Sequence, residues 1–307
     1  MLKNKIVVVS RTFSNTPELV SELEKNFTEV KLNKIEKLEG DKLSEFISDA
    51  DGAIVALEKI DMNILSKCPN LKIIAKYGVG LDNINQDACL KNNVKIGWTG
   101  GVNKLSVAEM SIGFMLSLSR NLFKTSLELK NGKWDKNGGF NLSGKTVGII
   151  GVGNVGKEVV RLLKPFNCSI LVNDIIDQKD YYKKEGLREV SKEEMYSQSD
   201  IITLHVPLTK ETKSLINSMV FDHMKPGSII INTARGFIVD LISLKKALVS
   251  GKIGGAAIDV YDEEPPNDKE LLLLDNLICT PHIGGNSKES VIAMGMSAIN
   301  HLKEYFN

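Results

Sequence analysis

Cysteine, aromatic residues and arginine are all scarce in this chain of 307 residues. Its four cysteines, Cys68, Cys89, Cys168 and Cys279, form no Cys-x-x-Cys pair. That spacing points to neither a disulfide framework nor a metal centre, so no metal is expected and a reducing cytoplasm is the expected location. No apolar run approaches the roughly 20 residues of a membrane span. The start, "MLKNKIVVVS", is too short in its apolar part for a signal peptide and reads as a first strand. A net charge of +1 gives no reason to expect nucleic acid or an anionic membrane as a partner. Arginine occurs only at Arg11, Arg120, Arg161, Arg188 and Arg235, against an abundance of lysine. Where charge alone suffices, this chain uses lysine. Arg235 follows the apolar run of "SIIINTARG", and its planar fork of donors suits a carboxylate better than a lysine would. A structural ion pair is the competing reading of the same residue.

An apolar content of 42% and a charged content of 25% are those of a soluble globular protein, and the length suits about two domains. The first hundred residues alternate strands ("KIVVVS", "TEVKLN", "DGAIVAL", "LKIIAKYGVG") with helices, among them "TPELVSELEKNF", capped by Thr16 with Pro17 in its first turn. This is an α/β pattern with parallel strands. A long apolar helix is expected from Ser106 to about Asn131, with Ser106 and Glu109 as a capping box. Its apolar circumference implies burial between domains or subunits. A second βαβ series starts at "KTVGIIGVGNVGKEVV" and includes an expected helix over "TKSLINSMVFDHM".

Gly151, Gly153 and Gly156 form G-x-G-x-x-G after an apolar strand and before a helix. The first glycine permits a tight turn, the second lets a pyrophosphate approach the backbone, and the third lets helix pack on strand. Helix-start N–H groups near Asn154 and Val155 would bind the phosphates. Asp174 ends the next strand, where a carboxylate accepts ribose hydroxyls and repels a 2′-phosphate. Ile175 and Ile176 follow it with no arginine, which favours NAD over NADP. A methyltransferase binding a nucleoside cofactor shares this layout.

Four histidines are candidates for proton transfer. His301, on the last helix, reads as solvated, and His223 as a helix C-terminal residue. His205 either faces a ligand or is a satisfied strand-end residue. His282, in "CTPHIGG", ends a strand and precedes Gly284 and Gly285, which leave room for a ligand. Glu264, before Pro265 and Pro266, is a candidate to orient an imidazole, although acidic runs such as "DVYDEEPP" are more often solvated loops.

The stretches "YGVGLDNI", "GVNKLSVAE", "GIIGVGNVGKEV", "LHVPLT", "INTARGFIVD", "GGAAIDVYDEEPP" and "CTPHIGG" occur in the order seen in the D-isomer-specific 2-hydroxyacid dehydrogenases. From about residue 50 onward the chain resembles that family, most closely its phosphoglycerate dehydrogenase and glyoxylate/hydroxypyruvate reductase branch. The resemblance implies two Rossmann-like, doubly wound α/β domains with a cleft between them. A discontinuous, flavodoxin-like substrate domain would span 1–98 and 282–307, and an NAD-binding domain 99–281. It implies hydride transfer between NAD(H) and a small D-2-hydroxy acid, with Arg235, Glu264 and His282 as catalytic residues. Val206, Thr233, Ala234 and Asp259 would line the nicotinamide half of the cofactor site, with Gly284 and Gly285 also beside the cofactor. Backbone N–H groups of Val79 and Gly80 would meet the substrate carboxylate, and Lys76 would add a positive charge. A homodimer through the NAD-binding domains is expected. Phe237 and Leu241 depart from the family pattern beside Arg235, where they are expected to reshape the pocket floor. Ala56 stands where phosphoglycerate dehydrogenases often have an arginine. An NAD-sensing corepressor on the same fold, without turnover, is the alternative.

Overall fold

Runs of valine, isoleucine and alanine, bounded by polar or glycine-rich segments, form the strands, as expected for sheets covered on both faces. The computed structural model describes residues 1–307 and divides them into two compact units, Met1–Asn103 with Gly285–Asn307, and Lys104–Gly284. These divisions lie a few residues from the boundaries at 98/99 and 281/282 that the resemblance implies.

The first unit contains β1 (Leu2–Val8), β2 (Phe27–Leu32), β3 (Gly52–Val55), β4 (Ile73–Lys76) and β5 (Lys95–Gly97). All pairs are parallel, in the order β2-β1-β3-β4-β5, which is the flavodoxin order. Every residue of β3 and β4 is buried. The last helix, Lys288–Phe306, covers one sheet face through Met294, Ala298, Ile299 and Leu302, which share a core with Ile6, Val8, Leu19 and Ile73. A methyl group on Gly295 would lie 2.3 Å from Leu19 Cδ1, so this helix needs a glycine to seat against the helix Pro17–Asn26.

The second unit contains β6 (Thr146–Ile150), β7 (Ser169–Asn173), β8 (Arg188–Glu189), β9 (Ile201–Leu204), β10 (Ser228–Asn232), β11 (Ile253–Ile258) and β12 (Leu277–Cys279). They form one parallel sheet in the order β12-β11-β10-β9-β6-β7-β8. The connection direction reverses between β9 and β6, the point at which open parallel sheets bind ligands beyond the strands' carboxyl ends.

Three helix expectations need correction. The helix meant to run from Ser106 to Asn131 is two, Lys104–Ser119 and Leu122–Lys130, because Asn121 adopts the left-handed conformation (φ 52°). Asparagine tolerates that conformation better than most residues. Ser106 is not a cap: it lies inside the first helix, and its hydroxyl donates to the Gly284 carbonyl at 2.7 Å. The helix expected from Thr212 begins only at Ser218, because Ser214 has φ 50° and Ile216 pairs with Val239. Asn217 caps it, accepting from the N–H groups of Met219 and Val220. Thr16 does stand at the N-cap of Pro17–Asn26, but its hydroxyl donates backward to Thr12 O at 2.8 Å.

Candidate active site

The turn after β6 has a steric reason for each of its end glycines. Gly151 has φ +91°, and a methyl group there would lie 2.5 Å from His205 O. A methyl on Gly156 would lie 2.1 Å from Gly151 O. Gly153 differs: nothing lies within 4 Å of where its Cβ would be, so the backbone is bare on that side. It is the N-cap of the ten-residue helix Asn154–Leu163 and has no capping side chain. The first N–H groups of a helix have no partner within it, so this start can hold a pyrophosphate. Asp174, just past β7, is tethered beside it. One carboxylate oxygen accepts Val152 N–H at 2.6 Å and the other Ile176 N–H at 2.9 Å. A carboxylate offers about four acceptor positions, so capacity remains for ribose hydroxyls. The cradle and its carboxylate fit NAD.

Arg235, Glu264 and His282 all follow the carboxyl ends of three adjacent strands. Asn232 of β10 pairs with Ile258 of β11, which pairs with Cys279 of β12. Each residue lies a few positions beyond one of those ends. His282 Nδ1 is 2.9 Å from both carboxylate oxygens of Glu264. The carboxylate therefore holds the imidazole through Nδ1. Glu264 Oε1 also accepts Tyr261 N–H at 3.2 Å, and the Glu264–Pro265 bond is cis. The side chains of His282 and Glu264 are 37% and 36% exposed, so solutes can reach the pair. Arg235 is half-buried and donates from Nη1 to Ala234 O at 2.6 Å. Gly236 must be glycine, since a methyl would lie 2.1 Å from the Tyr261 carbonyl carbon.

His282 has φ +54°, an unfavourable conformation for a residue with a Cβ. Asp259 holds the loop in it. This carboxylate is 1% exposed and accepts Thr280 Oγ1 at 2.6 Å, Ile283 N–H at 2.8 Å and Gly284 N–H at 2.7 Å. Thr280 O in turn accepts Tyr261 O–H at 3.0 Å and His282 N–H at 3.0 Å. Burial pushes the Tyr261 phenol pKa up, which keeps that donor protonated. The bracing role of Asp259 had no signal in the sequence, since four acidic side chains share "DVYDEEPP".

The remaining candidates fall within one unit or the other. In the second, Val206 is half-buried, while Thr233 and Ala234 are buried, with Thr233 Oγ1 3.3 Å from Ser111 Oγ. A methyl on Gly284 would lie 2.9 Å from Asp259 Oδ2. Gly285 belongs to the first unit, where a methyl would lie 2.4 Å from Asn103 Nδ2. Also in the first unit, Val79 O accepts Trp98 Nε1–H at 2.7 Å. The N–H groups of Val79 and Gly80 donate to no group of the protein. Lys76 is buried, and its ammonium donates to Ala56 O and to Asn83 Oδ1, the latter at 2.6 Å. The two departures beside Arg235 differ in their surroundings. The Phe237 ring is exposed, with Lys213 Nζ 5.5 Å from its centroid. Leu241 packs on the core as the first residue of the helix Leu241–Val249, capped by Asp240.

Of the other histidines, His223 is exposed at the end of the helix Ser218–His223. His301 is not simply solvated: its Nε2 is 2.8 Å from Thr99 Oγ1. His205 pairs with Thr203 Oγ1 at 2.9 Å, and desolvation pushes its pKa down to about 3. Its unfolded value is near 6.5, so the unfolded chain binds this proton first as pH falls. Stability is therefore lost from about pH 6.5 toward the folded value, at up to about 1.4 kcal/mol per pH unit. His205→Asn is expected to flatten that acid limb in urea denaturation between pH 6.5 and 4.5. An unchanged slope would exonerate His205.

The chain matches the family model described as the D-isomer specific 2-hydroxyacid dehydrogenase NAD binding domain over residues 112–284. It is 37% identical over 292 residues to a hydroxypyruvate reductase of Thermotoga maritima, an alignment covering 91% of this chain and 94% of that one. It is 40% identical to a D-3-phosphoglycerate dehydrogenase of Archaeoglobus fulgidus, over 78% of this chain but only 46% of the longer relative. Its fold superimposes on a D-lactate dehydrogenase of Aquifex aeolicus, solved with NAD and lactic acid, with a TM-score of 0.87 at 28% identity, covering 98% and 95% of the two chains. The glycine cradle and its carboxylate lie inside the matched segment, and the chain belongs to the D-isomer-specific 2-hydroxyacid dehydrogenases, oxidoreductases that in this case use NAD.

Proposed function

We propose that this enzyme reduces a small 2-oxo acid with an uncharged tail, of the glyoxylate or hydroxypyruvate kind, to the D-2-hydroxy acid. The observation that carries the catalytic assignment is the contact of His282 Nδ1 with both Glu264 oxygens. Bound NADH supplies the hydride. Protonated His282, stabilised by the Glu264 carboxylate, donates a proton from Nε2 to the substrate's carbonyl oxygen. Arg235 pairs with the substrate carboxylate and stabilises charge developing on that oxygen. In the first unit, Val79 and Gly80 keep N–H groups that no protein group accepts, which suits them to an anion. Val206, Thr233 and Ala234 would line the nicotinamide half of the cofactor site, and Asp259 would contribute by bracing the His282 loop.

The tail preference rests on the turn after β3. Ala56 brings no charge, its N–H is taken by Glu58 Oε2 at 2.8 Å, and Leu57 is exposed. The nearby Lys76 ammonium is already engaged by Ala56 O and Asn83. An acidic group beside an apolar side chain is a poor receptor for a phosphorylated tail. Steady-state kinetics on glyoxylate, hydroxypyruvate and 3-phosphohydroxypyruvate test this. A markedly higher kcat/KM for the phosphorylated acid would overturn the tail assignment.

Cofactor choice follows from Asp174. NADH is expected to be preferred over NADPH by well over tenfold, about 1.4 kcal/mol or more. Asp174→Ala is expected to narrow the gap and to weaken NADH itself, because Val152 N–H loses its acceptor. Equal use of both cofactors by the unmutated enzyme would refute the assignment.

The helix Leu122–Lys130 buries none of its residues and exposes Leu122, Phe123, Leu127 and Leu129, with Trp134 beyond it. That apolar face supports a homodimer through the NAD-binding unit. Sedimentation at micromolar concentration reads it directly, and a monomer would refute it. No helix is long and apolar enough to cross a membrane. Four free thiols, two of them buried, suit a reducing cytoplasm.

A further inference from the structure

We propose that Asn232 is a positioning residue for Arg235, resting on the carboxylate-binding role given to Arg235 above. Asn232 is the last residue of β10 and is 1% exposed. A buried primary amide is costly unless its donors and acceptor are matched. Here Oδ1 accepts Ala234 N–H at 3.1 Å and Nδ2 donates to Arg235 O at 2.8 Å. One side chain thus closes the turn Asn232–Arg235 on itself, fixing the Thr233–Ala234 and Arg235–Gly236 peptide units. That matters because Arg235 then leaves the turn with extended backbone (φ −150°, ψ 146°) and starts the short helix Gly236–Ile238. The guanidinium is bonded to Ala234 O, which belongs to the peptide unit between the two that Asn232 holds, so its direction is tied to that turn.

The main chain of Asn232 works in the same direction. Its carbonyl accepts Asp259 N–H at 3.0 Å, and Asp259 is the residue that holds the His282 loop. A single buried asparagine therefore sets the arginine turn through its side chain and anchors the histidine's brace through its backbone. Only the first link depends on the amide. Substitution of the side chain should therefore damage recognition by Arg235 and leave the His282–Glu264 pair and the glycine cradle in place. Asparagine suits the position for a specific reason: aspartate matches its shape but, when ionised, cannot donate to Arg235 O, and serine is too short to reach it.

The test is a double-mutant cycle on kcat/KM for a small 2-oxo acid. Asn232→Asp is expected to lower it at least tenfold near neutral pH, with the dissociation constant for NADH changed by less than about threefold. Burial raises the introduced carboxyl's pKa, and once protonated it can donate again. The deficit relative to the unmutated enzyme should therefore shrink as pH falls, a signature that a purely packing role lacks. In the Arg235→Ala background the same change should add less than about threefold, because the group it positions is gone. Equal losses in both backgrounds, or an Asn232→Asp enzyme of unaltered kcat/KM beside a crippled Arg235→Ala, would overturn the role of Asn232 alone. An Arg235→Ala enzyme close to the unmutated one would overturn the role of Arg235, and that of Asn232 with it. If the buried charge prevents folding, Asn232→Ser carries the same cycle without the pH arm.

Discussion

Removing the imidazole at position 282 is expected to lower turnover by roughly 10²–10⁴-fold, the usual contribution of a positioned proton donor. The choice of replacement matters. His282 sits at φ +54°, where most side chains are disfavoured by about 1–2 kcal/mol. Alanine there would test backbone strain together with chemistry. Asparagine tolerates the conformation and carries no titratable group, so His282→Asn isolates the proton. NADH binding should stay within about threefold, since the glycine cradle hangs from β6 and the histidine loop from β12. The companion variant is Glu264→Gln. Its shape can keep the bond from Tyr261 N–H, but it removes the negative charge 2.9 Å from Nδ1. The carboxylate orients the ring and attracts the positive charge of the proton it carries, and a neutral amide does so less well. Reduction needs the protonated form. Glu264→Gln is therefore expected to slow reduction by a part of the roughly 10²–10⁴-fold that a positioned proton donor contributes. Unimpaired reduction by Glu264→Gln would take the carboxylate out of the mechanism, and a fast His282→Asn would do the same for the histidine.

What could be read from the chain beforehand follows a physical division. G-x-G-x-x-G after an apolar strand is a local constraint, and the structure gives Gly151 and Gly156 the steric reasons that make it so. The strands were legible because covered parallel strands read as continuous apolar runs. Helix limits were not. A single left-handed asparagine at 121 divides what looked like one helix, and Ser106 looked like a cap while bonding a carbonyl far along the chain. Nor could composition show that Asp259 is spent on three loop donors or that Lys76 is tied to Ala56 and Asn83. These bonds join residues distant in sequence, and only the folded backbone brings them together. Gly284 and Gly285 add a packing reason that the sequence did not show: a methyl group would lie 2.9 Å from Asp259 Oδ2 at the first and 2.4 Å from Asn103 Nδ2 at the second.

Arg235 carries the other large expected effect. One of its nitrogens, Nη1, is engaged by the Ala234 carbonyl, which orients the planar group from behind. A guanidinium carries five N–H donors in a planar fork whose spacing matches the two oxygens of a carboxylate. A lysine at the same position would keep the charge and lose the fork. Its three donors turn about one bond, and holding Ala234 O would leave no planar pair for the substrate. Arg235→Lys is therefore expected to be badly impaired, with kcat/KM for a 2-oxo acid down by roughly 10²-fold or more. The scale follows from losing a charge-assisted pair in a desolvated site, about 2–5 kcal/mol. The substrate offers the mirror experiment. A ketone or aldehyde that matches the 2-oxo acid but lacks its carboxylate should be reduced at least 10²-fold less efficiently by the unmutated enzyme. In Arg235→Lys that discrimination should shrink, because the enzyme has lost the group that recognises the difference. If Arg235→Lys reduces the acid within about threefold of the unmutated enzyme, charge alone is enough. If the acid and its decarboxylated counterpart are reduced equally well before any substitution, the scarce arginine at the end of β10 is not a carboxylate receptor.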